Sequence, residues 1–149
     1  MQRTGFVMVN RAAVAGWFFA LISIVSCSDP AITLEPGVAQ ELARSRAELI
    51  DNLRYRLHFD IDADPRAPIA AQVEISFDLA RAGGDLQLDF REEAANILAV
   101  QCNGNQVEAR VEKEHVIVPA ANLRSGRNVL LIEFLAGSSS LNRNPDYLY

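Results

Sequence analysis

Leu53-Arg54-Tyr55-Arg56-Leu57-His58-Phe59-Asp60-Ile61 alternates apolar and polar side chains without a break. Successive side chains of a β-strand point to opposite faces. A period of two over this length therefore predicts a long strand, begun at Asn52, with one face buried and the other in water. Asp64-Pro65-Arg66-Ala67-Pro68 interrupts it. A second alternation follows, with Ala71, Val73, Ile75, Phe77 and Leu79 set against Gln72, Glu74, Ser76 and Asp78. Two neighbouring strands that each keep a polar face predict an antiparallel pair, because parallel strands are buried on both sides.

The pattern continues outward from this pair. Gly83-Gly84 turns the chain, and Leu86, Leu88 and Phe90 make a third, short strand. Residues 97–102 and 106–111 flank Asn103-Gly104-Asn105, a hairpin signal. Residues 115–118 add another strand, residues 119–124 a single helical turn, and Ser125-Gly126 ends that turn. Residues 129–135 are nearly all apolar, which predicts the most buried strand. Upstream, Val38, Leu42, Leu49 and Ile50 recur at helical spacing after Pro36, which suits a first helical turn, and the helix is expected to end near Asn52. The expected fold is mainly β: an antiparallel, sandwich-like domain preceded by one short amphipathic helix.

The first residues read differently. Residues 12–26 carry no charge, follow Arg3 and Arg11, and end in Ile24-Val25-Ser26-Cys27. A basic start, a short apolar run and small residues at its end predict a secretory signal, and the run is too short for a comfortable membrane span. The last four residues resemble a bacterial lipobox, with isoleucine where leucine is commoner. That resemblance implies cleavage before Cys27 and acylation of its thiol, hence a lipid-anchored envelope protein facing the periplasm or the cell surface. Met8 is an alternative start that keeps a basic lead through Arg11. The expected organisation is a signal over residues 1–26, a tether over 27–36 and one domain over 37–149; about 120 residues suffice for a single core.

Charge and chemistry narrow the function. Loss of Arg3 and Arg11 with the signal takes the formal net charge from −5 to −7. An acidic chain without Lys/Arg clusters has no electrostatic reason to seek nucleic acid. Acylation of Cys27 leaves Cys102 the only thiol, so no intrachain disulfide is expected, and its apolar surroundings suit a buried hydrophobe. The two histidines, His58 and His115, have no second ligand at zinc spacing. Asp60, Asp62 and Asp64 start like a calcium loop, but Pro65 stands where glycine is needed and Ala71 where glutamate is needed. Ser138-Ser139-Ser140 lacks a nucleophile-elbow context, no glycine-rich phosphate cradle follows a strand, and Glu92-Glu93 reads as a solvated turn. No catalytic and no metal-binding residue is expected in these 149 residues; Cys27, as lipid attachment, is the one candidate site residue.

Several segments carry a resemblance. Ala136-Gly137, Ser140-Leu141-Asn142-Arg143-Asn144 and Asp146-Tyr147-Leu148-Tyr149 look like part of the aminopeptidase N family of zinc metallopeptidases. Glu35-Pro36-Gly37-Val38, Asn52-Leu53-Arg54-Tyr55-Arg56-Leu57 and Leu88-Asp89-Phe90-Arg91 are similar to the opening β-domain of that family. The likeness runs from about Leu34 to Tyr149. It implies a saddle-shaped β-domain, incomplete at the C-terminus, that packs beside a catalytic domain of the same chain. It also implies removal of amino-terminal residues from peptides by zinc held in an H-E-x-x-H helix with a distant glutamate, while a G-x-M-E-N segment grips the free amine. None of those motifs occurs here, so zinc and peptide substrates are implied only for a complete enzyme. On this reading the sheet is unfinished, with an apolar face expected uncovered along residues 129–135. Readings from other classes are a free-standing β-sandwich surface lipoprotein that binds a ligand or partner, and a structural envelope lipoprotein.

Overall fold

The computed structural model describes residues 34–64 and 66–137. One helix, α1 (Gln40–Leu49), precedes eight strands: β1 (Ile50–Asp60), β2 (Ile69–Leu79), β3 (Leu86–Asp89), β4 (Ile97–Cys102), β5 (Asn105–Gln106), β6 (Arg110–Glu112), β7 (His115–Val118) and β8 (Gly126–Ala136). They form a five-stranded sheet in the order β1-β2-β8-β4-β5 and a three-stranded sheet in the order β3-β7-β6. Every pairing is antiparallel. The fold is thus the mainly β, two-sheet domain with a short leading helix that the period-two patterning predicts.

The core lies between the sheets. Ile75 and Phe77 from β2, Leu130 and Ile132 from β8, and Val100 and Cys102 from β4 meet Leu86, Val116 and Val118 of the small sheet, all of them buried. β8 is the central strand. It pairs with β2 along its whole length and with β4 on its other side, and Leu130 is fully buried. The apolar run at residues 129–135 reflects this position. On its inner face Leu130 and Ile132 are buried and Phe134 partly buried, and Val129, Leu131 and Leu135 on the other face are half-buried, so the uncovered apolar face expected there is not found.

That face lies on β1 instead. β1 was expected to be half-buried, but Leu53, Tyr55 and Leu57 are 47%, 58% and 54% exposed. Cross-strand partners share a face. Tyr55 pairs with Ile75 and Leu57 with Val73, so these side chains do belong to the core face of the sheet. The small sheet does not reach over them. Phe59 is the exception, held in an edge-to-face contact with Phe134, ring centroids 6.5 Å apart.

A bulge sets the phase of β1. The register shifts between Asp51 and Arg54, and Asn52 adopts φ 52° and donates to Asp78 Oδ2 at 2.7 Å. One extra residue flips the parity of a strand. Ile50 and Tyr55 therefore share the core face despite their odd separation. Asn tolerates the left-handed region that this geometry needs. The helix is shorter than expected: it starts at Gln40, stops at Leu49, and Ile50 already has extended backbone. Ahead of it, Gly37 N donates to Glu114 Oε2 at 2.9 Å and Lys113 Nζ donates to Leu34 O at 2.8 Å, which ties residues 34–37 to the β6–β7 turn.

Two tight turns finish the topology. Asn103 and Gly104 have φ 53° and 83° between the paired Cys102 and Asn105, a two-residue primed turn whose twist suits a hairpin. Lys113 and Glu114 take the same left-handed conformation between Glu112 and His115 without a glycine. The first hairpin is shorter than expected. Its second arm is a strand only at residues 105 and 106, Val107 N still donates to Val100 O at 2.9 Å, and the chain then crosses to β6 of the other sheet. Beside this hairpin sits a buried polar knot. Asn128 is fully buried, donates to Arg124 O (2.6 Å) and Gly126 O (2.8 Å), and accepts from Arg124 N and Asn103 Nδ2 (both 3.1 Å).

Candidate functional site

The uncovered part of β1 forms one wall of a groove of about 340 Å³. Leu53 and Tyr55 contribute from β1, Phe77 from β2, Leu86 and Leu88 from β3, and Arg46 from the last turn of α1. The reason is geometric. The large sheet has five strands and the layer that covers it three, and β3 is an edge strand of that layer. The groove is therefore floored by apolar side chains and flanked by a sheet edge.

Polar groups close one end. Arg46 Nη1 and Nη2 donate to Asp89 Oδ2 and Oδ1 at 3.0 and 2.8 Å, a two-pronged pair. His115 pairs across the strand from Asp89 and is fully buried. Its Nδ1 lies 2.6 Å from Lys113 O; a carbonyl only accepts, so Nδ1 carries the proton. Nε2 approaches Asp89 Oδ1 at 3.4 Å without an aligned hydrogen bond, and Arg46 Nε is likewise buried without a partner.

These groups do not fit the zinc implied by the resemblance. His58 lies exposed on β1 and His115 on β7, in different sheets. The carboxylate nearest His115 is already clamped by Arg46. Among the described residues no group of three or more His, Cys, Asp and Glu side chains is placed to hold a metal ion. The Asp60, Asp62 and Asp64 series serves the chain itself: Asp62 Oδ1 accepts from Asp64 N at 2.7 Å and Asp64 Oδ1 from Arg66 N at 2.9 Å, the pattern of successive Asx turns. Cys102 is 1% exposed and donates to Asn122 O at 3.1 Å. Burial pushes its thiol pKa up, partly offset by the charge of Arg124. Cys27 and Ser138-Ser139-Ser140 lie outside the described residues.

The groove was missed in the sequence because alternation marks an apolar face without saying what covers it. The signal available was the length of β1: a third strand of four residues cannot cover an eleven-residue partner. No protein-family model matches the chain, and no curated protein aligns with it significantly.

Proposed function

We propose that this chain is the non-catalytic amino-terminal β-module of a lipid-anchored zinc aminopeptidase of the bacterial envelope. Cys27 is the lipid attachment, and the zinc and peptide chemistry reside in a catalytic body elsewhere in the complete enzyme. The segment likeness from Leu34 to Tyr149 supports this reading on the sequence side. The observation that carries it on the structural side is the apolar strip of Leu53, Tyr55 and Leu57, which a module built to pack beside another body would leave open. A free-standing surface lipoprotein that binds a partner would use the same strip, and this is the second reading.

The native polypeptide separates the two. Antibody against residues 34–137 should detect, in the membrane fraction, a chain far larger than 16.4 kDa. That chain should contain zinc and cleave aminoacyl-anilides. Cys27→Ala should release it from the membrane after a carbonate wash, because each buried methylene of an acyl chain contributes about 0.8 kcal/mol to anchoring. A 13–14 kDa acylated product without peptidase activity would refute the enzyme and favour the surface binding module; that mass is roughly what 123 residues weigh.

A further inference from the structure

We propose that the groove between β1 and β3 is a strand-acceptor site. It takes one extended segment donated by another protein, which pairs its main chain with the free edge of β3 and lays alternate apolar side chains on Leu53 and Tyr55 of the groove and on Leu57, exposed next to them on the same face of β1.

The free edge follows from the register. Phe90 N donates to Glu114 O at 2.7 Å, and Leu88 and Leu86 sit opposite Val116 and Val118. Main-chain groups alternate in direction along a strand. Residues 86, 88 and 90 thus turn theirs toward β7, and Gln87 and Asp89 turn theirs toward the groove. Among the described residues no strand pairs there.

The width of the slot selects a single strand. On β2, Ile75 and Phe77 are 5% and 1% exposed, whereas their neighbours on β1 are about half exposed. On this side the covering layer thus stops over β2 and leaves β1 open, and one strand occupies about 4.8 Å. Area argues the same way. Three half-exposed side chains present on the order of a few hundred Å² at most, against about 800 Å² per partner in a stable interface between folded bodies. A second folded copy needs more surface than this and does not enter a slot one strand wide. An extended segment gains its affinity from main-chain hydrogen bonds and needs only alternate side-chain contacts.

The chemistry of the donor follows. Apolar residues at i, i+2 and i+4 meet the floor, β-branched or aromatic types fitting the pleat best. The Arg46–Asp89 pair bounds one end. The receiving chain has a formal net charge of −5, so the donor is uncharged or basic. The site uses the same strip of β1 as the packing surface of the proposed function, so strand acceptance rests on the second reading, a surface module whose strip takes a partner.

The test uses the full chain in lipid nanodiscs, with empty nanodiscs as the blank. The probe is a fluorescent peptide of alternating valine and threonine flanked by lysines. Its control carries N-methyl groups on every second residue, which removes the donors of one edge. Saturable binding is expected for the first peptide only, with amide exchange at Gln87 and Asp89 slowed on binding. Tyr55→Asp and Leu57→Asp should each weaken binding by about tenfold or more, as a charge set against a desolvated apolar contact does. Leu98→Asp, at an equally exposed position on β4, should leave binding unchanged. All three positions are exposed, so the fold survives, which circular dichroism checks. Equal binding of the methylated peptide, or no binding at all, overturns the proposal. Dimerisation that protects the same amides overturns it in favour of a second copy. Binding that emerges only after deletion of residues 138–149 overturns it in favour of an occupant from the chain itself.

Discussion

Replacing Asn128 by alanine should cost about 4 kcal/mol of stability, and hydrogen bonding rather than volume should account for most of it. The side chain is fully buried and makes four hydrogen bonds, two donated to carbonyls and two accepted from N–H groups. A net intramolecular hydrogen bond contributes about 1 kcal/mol, so the four together come to about 4 kcal/mol. Truncation orphans Arg124 N, Arg124 O, Gly126 O and one amide proton of Asn103. The total is about a quarter or more of the roughly 5–15 kcal/mol that holds a domain together, and it corresponds to a melting temperature lower by about 15 °C. Asn128→Leu separates the causes. Leucine refills the space but leaves the same four groups unpaired, so it should be no better than alanine. Urea melts of the three proteins followed by circular dichroism give the comparison. If Asn128→Leu lies within about 1 kcal/mol of the parent, the hydrogen-bond argument is refuted and the residue is merely a filler.

Two further outcomes follow from side chains near the core. The thiol of Cys102 should be unreactive to iodoacetamide in the native state at pH 8 and fully reactive in urea. Because burial raises its folded pKa above the unfolded one, its contribution to stability is whole below the ordinary thiol range near 8.5 and declines as pH rises beyond it, an erosion that Cys102→Ser should lack. Asp89→Asn should lower stability by no more than about 1 kcal/mol in a urea melt, since the Arg46–Asp89 pair is two-pronged but Asp89 is 45% exposed; a loss above about 3 kcal/mol would show that His115 depends on the carboxylate.

Strand identity was legible because period two is a local property. β2 and β8 appear almost where their alternation and apolar density place them, and Asn103-Gly104 marks its turn by residue type alone. Coverage was not legible, because it depends on a different sheet: nothing within residues 53–61 tells that the layer above stops over β2. A charged turn ahead of His115 is legible in the sequence, but the left-handed conformation of Lys113 and Glu114 is not. Neither residue is a usual occupant of left-handed backbone, and the hairpin is imposed by the pairing of β6 with β7 and by Glu114 accepting from Gly37. The parity flip at Asn52 was hidden for a related reason: a bulge is visible only in the register with a partner. Asn128 stands between the polar Arg124-Ser125-Gly126-Arg127 turn and an apolar run, where it reads as part of the turn, and its role requires that turn and the distant Asn103 to be in place.

The central position of β8 has a consequence for how the chain comes to be folded. Among the described residues, the strand that joins β2 to β4 is the last to be made, and its partners on β2 lie about fifty to seventy residues earlier in the chain. Until residue 136 has left the ribosome, the apolar faces of β2 and β4 have nothing between them, and no local pairing can close the large sheet. Non-local pairings of this kind fold slowly, since a long loop must be closed before contacts stabilise it. Until β8 is complete, a growing chain therefore exposes unpaired strand edges, and such edges favour association over folding.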